Sequence, residues 1–246
     1  MEFTYKNTAK KIGWNFSNLK ITKEVPSNYN YYKECVSNIN STTIMLDIGC
    51  GSCEKSLRYF SQAEKVIALD NEQEMLNKAK LNVKKYYGEN FNKFEFIVGD
   101  KNNLNFENET FDLVVSRHCG ANMNDVFRVL KMGGIFISED IDNDDCIELK
   151  NIFNRGQNFK SKIIGKQNVI NDCVKANFSK IELLNFEEIE YYNSIEDLEF
   201  LLLNTPIING YNKANDFELL KEYVNKNITE KGIKLVRKLY AFKLTK

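Results

Sequence analysis

Three aspartates and two glycines stand where short apolar runs give way to polar sequence. Asp47 sits near the end of the run Thr43–Ile48, with Gly49 and Gly51 just beyond it, and Asp70 and Asp100 end two further runs. Ser116 ends a fourth, and the single histidine, His118, follows it by two residues. A glycine-bearing turn lets backbone N–H groups approach a ligand without an obstructing Cβ. Dinucleotide sites use such a turn, G-x-G-x-x-G, to hold a diphosphate. Here Gly49-Cys50-Gly51-Ser52-Cys53-Glu54 places Glu54 at the third glycine, where its charge would oppose a diphosphate. Asp47 is equally ill suited to phosphate and well suited to a cation, such as an ammonium or sulfonium group. The electrostatics therefore favour a cationic ligand over a nicotinamide dinucleotide.

Each of these residues also has a plainer use. Asp47, Asp70 and Asp100 can cap the turns and helices that follow them. Cys50 and Cys53 form a C-x-x-C at a helix start, where a redox-active thiolate is stabilised. His118 is either a structural hydrogen-bonder or a general base of suitable basicity. What sets the acids apart is that three of them, with Ser116, recur at equivalent places in successive units.

Those units define the expected fold. Thr43–Ile48, Lys65–Asp70, Phe94–Asp100, Thr110–Ser116 and Gly134–Ser138 read as buried strands. Helices are expected at Glu54–Ala63, Glu72–Tyr87 (Met75, Leu76, Ala79 and Val83 on one face) and Met123–Leu130. Asp145–Phe153, Lys166–Asn177 and a segment around Tyr31–Ile39 also look helical. Lys180–Tyr192 and Ile233–Thr245 alternate like two long antiparallel edge strands. The expectation is a single α/β domain, 1–246, with a doubly wound, mostly parallel seven-stranded sheet and an antiparallel last strand. Within it, 1–41 is expected as a helical N-terminal cap, 42–190 as the ligand-binding core, 191–232 as an inserted C-terminal lid and 233–246 as the last strand. In such sheets ligands bind beyond the carboxyl ends of the strands, where the acids fall.

Composition narrows the partners. Lys plus Arg and Asp plus Glu number 34 each, so no global field favours nucleic acid or an anionic membrane. No apolar run approaches the ~20 residues that span a bilayer, and MEFTYKNTAKKIGW lacks a signal-peptide core. The six scattered cysteines form no dense framework, and a reducing cytoplasm is the expected location. No metal site is expected, because no second C-x-x-C completes one.

IMLDIGCGSCEKSL resembles motif I (D-x-G-x-G) of the class I, Rossmann-like, S-adenosylmethionine-dependent methyltransferases. VIALDNEQEML and FIVGDKNNLNF resemble the second- and third-strand acidic motifs of that family. FDLVVSRHCGAN resembles its motif IV, and DVFRVLKMGGIFISED the R-V-L-K-P-G-G segment before the fifth strand. The likeness is close over about residues 42–140. It departs at Cys53, where many relatives have a third glycine, and at Met132, which replaces the usual proline.

The resemblance implies S-adenosylmethionine as cofactor. Asp47, Gly49 and Gly51 would hold its methionine part, Asp70 the ribose, and Asp100 with Lys101 the adenine; Cys50, Asn71, Asn102 and Ser116 are further candidates for cofactor binding. It also implies a methyl acceptor over the fourth strand, with His118 as the candidate catalytic base. Trp14, Phe16, Tyr31, Arg117 and Arg237 are the candidates for an acceptor pocket. No N/D-P-P-Y/F segment follows the fourth strand and no Pro-Cys pair is present, which argues against base or glutamine-amide methylation and pyrimidine-ring attack. The expected reaction is methyl transfer to an N or O nucleophile of a small molecule. An RNA methyltransferase, a non-catalytic S-adenosylmethionine-binding protein and a nicotinamide-dependent oxidoreductase are the competing readings. The sequence leaves the oligomeric state and the identity of the acceptor open.

Overall fold

The computed structural model describes residues 5–12, 16, 18–88, 91–162 and 165–246. The elements run α1 (Tyr5–Ile12), β1 (Ile21–Glu24), α2 (Tyr31–Val36), β2 (Ile44–Ile48), α3 (Glu54–Phe60), β3 (Lys65–Asp70), α4 (Gln73–Tyr87), β4 (Phe94–Val98) and β5 (Phe111–Arg117). They continue α5 (Met123–Val129), β6 (Leu130–Ile141), α6 (Ile147–Phe153), α7 (Gly165–Lys175), β7 (Lys180–Tyr192), α8 (Ile195–Asn204), α9 (Lys213–Asn227), β8 (Ile228–Thr229) and β9 (Gly232–Thr245). The chain divides into two compact units. The larger comprises Asn30–Asp140, Lys166–Leu184 and Tyr240–Lys246, and the smaller Met1–Tyr29, Ile141–Gly165 and Asn185–Leu239. Most of the segments expected as cap and lid thus fall in one unit.

In the larger unit the strand order is β7-β9-β6-β5-β2-β3-β4. β2 pairs in parallel with β3 on one side and β5 on the other, with Leu46 opposite Ile67 and Val114. β4 extends the parallel set beyond β3, and β6 beyond β5. The Gly133 N–H donates to the Lys246 carbonyl and the Lys246 N–H to the Gly134 carbonyl. The end of β9 therefore meets the start of β6, and β9 runs antiparallel, as alternation along Ile233–Thr245 suggests. Leu46, Ile48, Val114 and Phe136 are 0–1% exposed, which explains why these strands read as continuous apolar runs. α4 buries Met75, Leu76, Ala79 and Val83, the face its spacing defines.

Several boundaries differ from expectation. α3 stops at Phe60 rather than Ala63, and α2 at Val36 rather than Ile39. α5 gives way at Leu130 to β6, which is far longer than Gly134–Ser138: the segment Leu130–Gly133 continues as extended chain paired at Phe111.

The smaller unit adds two strands that the sequence pattern did not single out. β1 pairs antiparallel with the end of β7, and the two residues of β8 pair with the start of β9. Gly232 is required at that corner. Its φ is +120°, and a Cβ there would lie 2.6 Å from the Tyr192 carbonyl oxygen. Ser194 caps α8 and Asn212 caps α9; the break between them covers Thr205-Pro206 and Asn209-Gly210. Leu149, Leu198, Leu202, Leu220 and Leu235 fill this unit's core. Among the described residues no helix is long and apolar enough to cross a membrane.

Candidate active site

Strand order reverses between β2 and β5, because the chain leaves β2 for β3 and β4 and then returns to β2's other side. Ligands in open α/β sheets bind at this switch point. The loops leaving β2 and β5 meet there. Gly49 has φ +71°, and a Cβ on it would fall 2.5 Å from the Cys119 Sγ, so only glycine lets the two loops close together. Gly49→Ala is expected to lower stability by about 1–2 kcal/mol from the left-handed backbone alone, with the Cys119 contact adding to it. Thermal unfolding checks this, and a curve superimposing on wild type would refute the need for glycine.

The acids hold the turns together. The Asp70 carboxylate accepts the Gly51 N–H at 2.9 Å through one oxygen and the Glu72 N–H at 2.9 Å through the other. It thus ties the glycine turn to the end of β3. Asp47 is buried and accepts from the Ser56 hydroxyl. Burial pushes its carboxyl up to about 6, against the opposing effect of the Ser56 bond. Asp100 is exposed and caps its own turn, accepting the Asn102 N–H at 2.8 Å. Asn71 is exposed at the start of the segment leading to α4.

Lys101 donates through Nζ to the Cys119 carbonyl, which links the loop after β4 to the loop after β5. Ser116 is fully buried, with its hydroxyl 3.3 Å from the Gly120 carbonyl. The hydrogen bond with Cys53, together with burial, pushes the Cys50 thiol up. At Cys53 the bond from Cys50 pulls the other way, but burial leaves that thiol raised as well. The pair is therefore held protonated, opposite to what an activated redox thiolate needs.

At the carboxyl end of β5 lies a charged group that sequence reading only half foresaw. Arg117 pairs across the strands with Glu139, its Nε 2.7 Å from Oε1. His118 Nε2 lies 3.5 Å from the same oxygen, and the His118 N–H donates to the Glu139 carbonyl at 2.8 Å. Burial opposes ionisation of Glu139. The hydrogen bond from His118 and the charge of Arg117 outweigh burial, and its carboxyl is held below the usual range. His118 adopts a left-handed φ of +54°, a strained geometry for a residue with a side chain and common at functional sites. Asp140, next along β6, is pushed up to about 7 by burial.

The Arg117 guanidinium lies 5.7 Å from the Tyr32 ring centroid, and Tyr32 packs edge-on to Tyr31. Glu139 and Asp140 were missed because they read as the polar end of a strand. Only the register of β5 with β6 sets Glu139 opposite Arg117.

The expected acceptor residues do not share one neighbourhood. Tyr31 and Arg117 come together in the larger unit. Phe16 belongs to the smaller one, packed edge-on to Phe200. Arg237 also belongs there, and its guanidinium is committed to Asp145 (2.9 and 3.2 Å) and lies 3.6 Å from Glu190. That buried network accounts for Arg237 without a ligand. Trp14 lies outside the described residues.

A parallel sheet with a glycine turn at its switch point, an acid two residues before the turn and another closing the next strand defines a Rossmann-like methyltransferase arrangement. A model of the methyltransferase domain matches residues 39–205, and the chain belongs to that family. It is an S-adenosylmethionine-dependent methyltransferase domain. No curated protein matches the sequence. Solved structures of similar fold include the YcgJ protein of Bacillus subtilis (13% identity, 88% of this chain and 97% of that one, TM-score 0.62). Another is phosphoethanolamine N-methyltransferase 2 of Haemonchus contortus, in complex with phosphomonomethylethanolamine and S-adenosylhomocysteine (17% identity, 87% and 51%, TM-score 0.54). A third is geranyl diphosphate methyltransferase, in complex with its diphosphate and sinefungin (11% identity, 87% and 77%, TM-score 0.52). At these identities the likeness is one of fold.

The residues present fit S-adenosylmethionine. Gly51 has φ +55° and its Cβ position meets nothing closer than the Met75 methyl at 3.5 Å, which leaves the turn open to a ligand. Asp47 is a buried carboxylate without a basic partner among the described residues, suited to an ammonium group.

Proposed function

We propose that this protein transfers a methyl group to a nitrogen or oxygen nucleophile of a small molecule, with His118 receiving the nucleophile's proton. The observation that carries the reading is the Arg117–Glu139–His118 group at the carboxyl end of β5, beside the glycine turn. A buried, ionised carboxylate holds an imidazole in place, as a positioned general base requires.

S-adenosylmethionine, when bound, supplies an electrophilic methyl on a sulfonium. The chain's own groups then have separable tasks. Asp47 offers its carboxylate to the cofactor's ammonium, and Asp70 offers the remaining lone pairs of its two oxygens to the ribose hydroxyls. Asp100 and Lys101 border the adenine, with Asn71 and Asn102 as further cofactor contacts, and Gly49, Cys50 and Gly51 let the backbone approach. Ser116 supports the loop that carries His118. Alignment does most of the catalytic work, because the leaving group is good. Residues 1–41 as cap and 191–232 as lid are part of the same proposal. The balanced charge favours a small molecule over RNA.

The test is calorimetric titration with S-adenosylhomocysteine and, in parallel, NADH, followed by transfer of labelled methyl to pools of small amines and hydroxyl compounds and to RNA. Binding of S-adenosylhomocysteine alone and labelling of small molecules are expected. His118→Asn is expected to cut the rate by about 10²–10⁴ with cofactor affinity retained. Label appearing only in RNA, or NADH binding instead, would overturn the reading.

A further inference from the structure

Beside Asp47 the larger unit holds two sets of hydrogen-bond donors with no oxygen or nitrogen to bond among the described residues. The Tyr31 hydroxyl is buried, the residue being 4% exposed, and finds no oxygen or nitrogen partner among the described residues; its polar neighbour is the Cys35 thiol. A tyrosine hydroxyl so placed ordinarily has a partner, and its absence costs stability. Arg117 spends only its Nε on Glu139, so among the described residues its two terminal amino groups have no hydrogen-bonded partner. The Tyr32 ring against its guanidinium and the Nε bond fix the plane of the fork. Tyr31 and Tyr32 pack with ring centroids 5.1 Å apart, and the Arg117 charge acts on the Tyr31 hydroxyl.

A rigid guanidinium fork with a free hydroxyl nearby is a receptor for a carboxylate or phosphate, which accepts two parallel N–H bonds and an O–H bond. Glu139 does not fill that role. Its single contact is with Nε, and it is shared with His118. Glu139 also cancels the Arg117 charge, so the site selects an oxyanion by hydrogen-bond geometry more than by field.

We propose that the Tyr31 hydroxyl and the Arg117 terminal amino groups together bind an oxyanion, a carboxylate or phosphate, at the carboxyl end of β5. Its source is either the cofactor's own α-carboxylate or an anionic group on the methyl acceptor. The proposal rests on the methyl-transfer reading for the source of the anion, and on the unpartnered donors for the site.

The experiment titrates wild type, Tyr31→Phe and Arg117→Lys with three ligands: S-adenosylhomocysteine, methylthioadenosine (which lacks the amino acid), and inorganic phosphate added to protein saturated with S-adenosylhomocysteine. Tyr31→Phe removes a hydroxyl whose one polar neighbour among the described residues is the Cys35 thiol, so its fold is preserved, and Arg117→Lys keeps a cation beside Glu139 while losing the fork. If the cofactor's carboxylate is the ligand, both variants weaken S-adenosylhomocysteine about tenfold and leave methylthioadenosine unchanged. If the acceptor's anion is the ligand, S-adenosylhomocysteine binding is unchanged and phosphate binding weakens about tenfold in both. Unaltered affinities for all three ligands in both variants would overturn the proposal, as would failure of phosphate to bind the wild type when S-adenosylhomocysteine binding is also unaltered. Wild type that fails to bind S-adenosylhomocysteine would instead count against the methyl-donor reading. Phosphate titrated into the ligand-free protein then decides the oxyanion site.

Discussion

Replacing Asp70 by alanine is expected to weaken S-adenosylhomocysteine binding on the order of 100-fold, the worth of two hydrogen bonds to a charged group. Its two oxygens already accept the N–H groups of Gly51 and Glu72, which places the carboxylate between the glycine turn and the segment leading into α4. The substitution therefore removes the acceptor proposed for the ribose and the tie that holds the glycine turn. Asp70→Asn keeps one carbonyl acceptor and loses the charge, so its affinity should fall between wild type and alanine. Calorimetry on the three proteins checks the order. An alanine variant binding within threefold of wild type would remove Asp70 from the cofactor site.

Asp47→Asn is expected to stabilise the fold while weakening cofactor binding. The Asp47 carboxyl rises from 3.8 to about 6 on folding. Above pH 6 it is ionised in both states, and lifting it that far costs about 3 kcal/mol of folding free energy. Below about pH 4 it is protonated in both states and the cost is absent. The asparagine variant, whose carbonyl still accepts from Ser56, should therefore be more stable than wild type at pH 8, by at most about 3 kcal/mol because its buried amide N–H groups gain no acceptor. The gain should shrink through pH 6 to 4 and vanish below. Its affinity for S-adenosylhomocysteine should drop at the same time, because the ammonium loses its counter-charge. Denaturant unfolding across pH measures the first effect. A variant less stable than wild type at pH 8 would contradict the account of a buried carboxylate kept for its ligand.

Much of this was legible in the chain because parallel strands buried on both faces leave an unbroken apolar signature, with polar residues at or close to its end. Asp70 ends β3 as expected and Asp47 is the next-to-last residue of β2, but β4 stops at Val98, which leaves Asp100 in the loop beyond it. What the pattern cannot carry is pairing between distant segments. Glu139 looks like any strand-ending polar residue until β6 is laid beside β5 and Arg117 appears opposite it. Arg237 looked available for an acceptor, yet Asp145, 92 residues earlier, claims it. β1 and β8 are too short, at four and two residues, to show alternation. The sequence pattern runs a helix to Leu130 and starts a strand at Gly134, but Phe111 pairs with Leu130 and the extended chain begins there.

The strand order also has a consequence for synthesis. By the time Asp140 has left the ribosome, the glycine turn and all five parallel strands exist, while the partner for the outer edge of β6 lies about a hundred residues further on, in β9. Until then that edge exposes a row of unpaired N–H and C=O groups on an apolar strand, a ready template for another chain. Closing so long a loop is slow relative to local contacts. The nascent protein therefore passes through a stage in which its ligand-binding half is built but adhesive, and chaperone demand should be greatest while residues 141–239 are being made.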